Sequence, residues 1–167
     1  MSIKTLYTEL RTQLETIPEL KWVRLWNNQF EREETENPFL FPCCFIEFKP
    51  STYSDLTNGV QQYDMIVTLH LGFESYKDED IDVLDLKQKI YKKVQRFQSS
   101  YFAMLSRVEE RQNFDHDNIQ DYEIDFRTSG KDFEADTRAI TPATITTLTL
   151  PKDLKIDNNI VRTGVIT

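Results

Sequence analysis

Apolar and polar positions follow two rhythms along this chain. Over residues 3–17, Ile3, Leu6, Tyr7, Leu10, Leu14 and Ile17 recur every three or four positions, so they share one stripe of an amphipathic helix. Ser2 suits the N-cap, and Pro18 discourages continuation. A second stripe, Val83, Leu86, Ile90, Val94 and Phe97, widened by Leu84 and Tyr91, predicts a helix over 80–97. Asp78, Glu79, Asp80 and Asp82 crowd its start, and Lys89, Lys92, Lys93 and Arg96 crowd its end. Both groups complement the helix dipole, and the pattern needs no ligand.

The other rhythm has period two. Residues 63–74 alternate without a fault: Tyr63, Met65, Val67, Leu69, Leu71 and Phe73 against Asp64, Ile66, Thr68, His70, Gly72 and Glu74. This predicts an antiparallel strand, half-buried on one face. KWVRLW over 21–26 predicts a first strand with Trp22, Arg24 and Trp26 on one side. FLFPCCFIEFK over 39–49 is apolar on both sides, as a central strand covered twice would be. Residues 107–113 and 120–128 predict two more strands, joined by the turn FDHDNI, with Ser129-Gly130 ending the hairpin.

Between these lie two polar connections. Residues 27–38 carry Glu31, Glu33, Glu34 and Glu36 against one arginine and one apolar residue, which predicts a long exposed acidic loop. Residues 50–62 are rich in turn formers and predict a further loop. From Lys131 the texture changes to a threonine-rich extended arm with one short strand, in which Ile145, Leu148 and Leu150 lie between two prolines. The expected fold is α+β: an antiparallel or mixed sheet of about five strands, two helices on one face, and an extended C-terminal arm. Residues 1–130 form the core domain and 131–167 the arm.

Composition narrows the chemistry. In 167 residues, 20 basic and 28 acidic side chains give a formal charge of −8, the wrong sign for a general nucleic-acid coat. Four scattered glycines can build neither a dinucleotide fingerprint nor a phosphate-binding loop. Cys43 and Cys44, the sole cysteines, are adjacent; on a strand they point to opposite faces and read as small core residues in a reducing compartment. The start of the chain lacks an apolar signal core, no N-x-S/T acceptor occurs, and no apolar run spans a bilayer, so a soluble protein made in a cytosol is expected. The Asp115, His116, Asp117, Asp121, Asp125 cluster fails the calcium-loop pattern at Ile119 and Gln120, and reads as a solvated turn and outer strand face. His70, with no second histidine or cysteine pair at ligand spacing, reads as structural. Trp22 and Trp26 read as core or subunit contacts.

The helix ending ETIPEL, the tryptophan strand KWVRLW, the strand FPCCFIEF, the alternating strand YDMIVTLHLGFES and the helix VLDLKQKIYKKVQRF together resemble, in order and texture, the tail terminator (tail-completion) proteins of tailed bacteriophages and the neighbouring neck proteins. The resemblance covers roughly residues 1–130, and the arm departs from it. It implies a virion protein made in the bacterial host cytoplasm. Such proteins form a homo-oligomeric ring, commonly hexameric, that joins tail tube to neck around the DNA exit channel. No constellation of residues rises to catalysis, and no cofactor, metal, membrane or small-molecule substrate is expected. On that reading Glu31, Glu33, Glu34 and Glu36 face the lumen and repel passing phosphate. Trp22, Trp26, Ile145, Leu148 and Leu150 would then meet neighbouring subunits or the adjoining tail-tube and connector proteins. Two other classes share the pattern: a monomeric or dimeric binding module or assembly chaperone, and an enzyme using His70, Cys43 or the Asp115–Asp125 cluster.

Overall fold

Leucine spacing sets the first layer. In the computed structural model, which describes residues 3–31, 39–49, 52–74, 80–113, 119–137, 155–156 and 159–160, helix α1 spans Ile3–Leu14 and buries Leu6, Leu10 and Leu14 completely. Helix α2, Asp80–Val94, turns Val83, Leu86, Ile90 and Val94 into the same core. Both helices end three residues before the apolar stripe does, since Ile17 and Phe97 reach the core from the turns that follow. Leu84 does not widen the stripe. It is 56% exposed, and Ile81 is also exposed.

The strands are β1 (Trp22–Leu25), β2 (Cys43–Phe48), β3 (Thr52–Thr57), β4 (Val60–Glu74), β5 (Ser106–Asn113) and β6 (Ile119–Asp132). They form one six-stranded mixed sheet in the order β1-β2-β4-β6-β5, with β3 also on β4. The fold is thus α+β, as expected, with one strand more than the pattern predicts. The 15-residue β4 is its axis. One edge pairs with β6 from Gln61 to Glu74; the other is shared by β3 below Asp64 and β2 above Val67. Its odd-numbered face, Tyr63 to Phe73, lies in the helix-side core with Cys44, Ile46, Ile124 and Phe126.

Three expectations are corrected here. Residues 50–62 are not a loop: β3 occupies most of them and returns through Asn58-Gly59, both at positive φ (52° and 83°), the dihedrals of a tight hairpin turn. Gly59 is needed twice, because a Cβ there would also meet the Ala135 carbonyl oxygen at 1.9 Å. Gly130 does not end a hairpin. It lies inside β6, opposite Tyr63, whose ring fills the space that a side chain would take. Finally, β4 is half-buried only in its first part: Gln62 and Asp64 are exposed, but Thr68, His70 and Gly72 on the same second face are buried.

β1 and β2 run parallel, from Trp22↔Cys43 to Leu25↔Ile46. Parallel neighbours need a crossover of a dozen or more residues, which accounts for the length of the connection between them. Its first part is a short 3-10 turn, Gln29–Glu31, that buries Phe30. The stretch containing Glu33, Glu34 and Glu36 lies outside the described residues.

The chain divides into two units, 1–137 and 138–167. In the second, β7 (Lys155–Ile156) pairs antiparallel with β8 (Asn159–Ile160). The expected strand around Ile145, Leu148 and Leu150 lies outside the described residues. Among the described residues, no helix is long and apolar enough to cross a membrane.

Two substitutions separate core from surface. Leu10→Ala should cost about 3 kcal/mol in urea unfolding, the usual toll of an emptied leucine site, while Leu84→Ala should stay within about 0.5 kcal/mol.

Candidate functional site

The second face of the sheet carries the chemistry. Register lays its side chains out in three rows across the strands. The first contains Trp22, Cys43, Gly72, Asp121 and Asn113. The second contains Arg24, Phe45, His70, Glu123 and Arg111. The third contains Glu47, Thr68, Asp125 and Glu109.

Aromatic residues cover the β1 side of these rows. Phe30, Cys43 and Phe45 form a small buried cluster with Trp22, Trp26, Phe39, Phe41 and Ile119 packed on it. Gly72 makes room for it, since a Cβ there would lie 2.6 Å from the Phe30 ring and 2.8 Å from the Cys43 sulfur. Trp26 ends the cover by stacking flat on His70, with ring centroids 4.0 Å apart and planes 7° from parallel. Both tryptophans are therefore half-buried within the chain itself.

Polar side chains occupy the β6 side. Asp125 accepts hydrogen bonds from Thr68 Oγ1 (2.6 Å), Arg111 (3.0 Å) and Lys49 (3.2 Å). Burial works to raise its pKa, yet these three donors outweigh it and hold the carboxyl below its ordinary range. Arg111 also pairs with Glu123. The imidazole of His70 meets Glu47 Oε2 through Nε2 at 2.9 Å, and its Nδ1 lies 4.0 Å from Glu123 Oε1. Burial lowers the His70 pKa below its usual value despite both carboxylates. Burial, and then the Glu123 charge, raises Asp121 to about 7.

The expectation of a solvated outer face for Asp121 and Asp125 is thus overturned: they are 1% and 6% exposed. Sequence spacing could not join them to His70, because β4–β6 register does so across 51 to 55 positions of chain. His70↔Glu123 and Gly72↔Asp121 are facing pairs, and an alternation of acids with Tyr122, Ile124 and Phe126 was the available signal. Asp115, His116 and Asp117 lie outside the described residues. Cys43 and Cys44 do point to opposite faces, one into each cluster, and burial drives both thiols far above their ordinary range. Two surface clefts, one at Tyr101 and Phe133 and one at Lys21 and Lys89, include none of these groups.

No family model and no curated protein sequence matches the chain. Among solved structures, a chain from the virion of a native gene transfer agent (GTA) particle is similar at 9% identity and a TM-score of 0.48, with 76% of this chain and 95% of that chain covered.

Replacing Asp125 by alanine removes the acceptor that Lys49, Arg111 and Thr68 share and should cost about 2 kcal/mol in denaturant unfolding. Because its folded pKa is depressed, the ionised Asp125 contributes stability above the ordinary aspartate range, about pH 4, and this is lost as the pH falls through the folded value. Asp125→Asn should therefore flatten that acid limb. Iodoacetamide should leave both cysteines unmodified in the native protein at mildly alkaline pH and label both in denaturant, as counted by intact mass.

Proposed function

We propose that this chain is a structural protein of a phage-like virion, one subunit of a ring at the junction of tail and neck. Strand β3 carries the reading. It is exposed at all six positions, and Tyr53 and Leu56 are 44% and 47% exposed. Among the described residues it pairs only with β4, so its outer edge offers backbone donors and acceptors to another chain. Identical subunits closing head-to-tail supply such a partner at every interface.

The element order supports the same reading, since it is the order that resembles tail terminators. The net charge of −8 suits a conduit that must not adsorb DNA. In the ring, commonly six subunits, Glu31, Glu33, Glu34 and Glu36 line the lumen and the duplex passes without specific binding. The arm crosses to an adjacent subunit or to a tail-tube or connector protein and docks through Ile145, Leu148 and Leu150. The outer faces of Trp22 and Trp26 complete the subunit contact. Synthesis is in the host cytoplasm.

Mass photometry and negative-stain imaging of the full chain test the proposal. Closed rings are expected at high concentration. Truncation after Thr137, which keeps all of β6, should leave a cooperatively folded monomer that no longer closes. A full chain that stays monomeric at every concentration overturns it, and a truncated one that still forms rings overturns the arm's part in closure.

A further inference from the structure

We infer that His70, Asp121 and Glu123 form a binding site for one divalent transition-metal ion of the zinc and manganese class, tying β4 to β6. One imidazole nitrogen and two carboxylate oxygens lie within 4.8 Å of one another. Zinc takes such ligands at about 2.0–2.2 Å, so donors around it stand roughly 3.4 Å apart and these need close by at most about 1.4 Å.

The imidazole is what separates this cluster from an ordinary group of acids. Its side chain is 6% exposed, and Nδ1 is buried without a hydrogen-bond partner. Nε2 is engaged with Glu47 at 2.9 Å. Nε2 is thus turned to Glu47, and Nδ1 is the ring nitrogen that faces the cluster. It lies 4.0 Å from Glu123 Oε1, beyond hydrogen-bond reach and close to the span of two metal–ligand bonds. An imidazole whose far nitrogen is held by a carboxylate is also the usual arrangement around a bound metal, since it fixes tautomer and ring orientation.

Glu123 divides its oxygens, Oε2 toward Arg111 and Oε1 toward His70. Trp26 holds the imidazole plane by stacking, and Asn113 reaches Asp121 Oδ2 at 3.4 Å, so two ligands are held in place before the ion arrives. One nitrogen with two carboxylate oxygens is a borderline-hard set, which favours Zn2+ or Mn2+ over Ca2+ and leaves a coordination position for water.

The full chain, stripped with a chelator and titrated with ZnCl2 or MnCl2, tests the inference. Calorimetry should give one site per chain with micromolar affinity, and thermal melting should shift upward on saturation. CoCl2 should quench the fluorescence of Trp26. Asp121→Asn and His70→Gln, both checked for native circular dichroism, should weaken binding at least tenfold. Glu47→Gln, which touches only the outer nitrogen, should weaken it about tenfold. Asp64→Asn, away from the cluster, should leave it unchanged. Absence of a one-to-one site for any of these ions overturns the inference, as does binding that Asp121→Asn and His70→Gln leave intact.

Discussion

One constraint governs the rest: from Val67 to Phe73 β4 is buried on both faces, and the two faces were given different materials. The odd-numbered face meets helices and is apolar from Tyr63 to Phe73. The even-numbered face buries Thr68 and His70, whose polar atoms cannot reach bulk water. Burying such groups without partners costs several times what a hydrogen bond returns, so neighbouring strands must supply charge and donors at matching heights. β2 supplies Glu47, β6 supplies Glu123 and Asp125, and β5 supplies Arg111. A one-residue slip of β6 would put Ile124 and Phe126 into this polar layer and the acids into the helix-side core. The network therefore enforces register as much as it stabilises the fold.

The parallel β1–β2 pair is the second consequence-laden choice. It obliges the chain to travel the length of the sheet between Leu25 and Cys43, and the traverse is put to use. Phe30 and Phe39 fold back from it onto Phe45 and close the second face where Gly72 leaves space. The aromatic cover ends at Trp26, where the charged network begins. The stacked Trp26–His70 pair is thus the seam between an apolar and an ionic half of one surface.

Both helices, the alternation of β4 and the double-faced character of β2 were legible in the sequence, because local periodicity alone determines them. The β3 hairpin was not. Its strand has only Tyr53 and Leu56 as large apolar residues and stays exposed, so no burial pattern marks it; Asn58-Gly59 was the one sign. The polar face was half legible. Acids alternating with Tyr122, Ile124 and Phe126 identify a strand, yet alternation says nothing about what lies over its polar side. The cover over Asp125 comes from Lys49, Thr68 and Arg111, which are 14 to 76 positions away and are brought to it by the sheet. The acidic run read as a loop proved to begin with a buried phenylalanine, since one aromatic in a polar stretch is enough to anchor it.

The contact between the hairpin turn and the end of the sheet domain has a mechanical side. Thr137 donates its backbone N–H to the Asn58 carbonyl at 2.9 Å, and Ala135 lies directly against Gly59. Tension pulled through the residues beyond 137 enters the domain at this turn, where a few bonds can yield one after another. The fourteen paired positions of β4 and β6 stand behind it, loaded only once that fuse has opened.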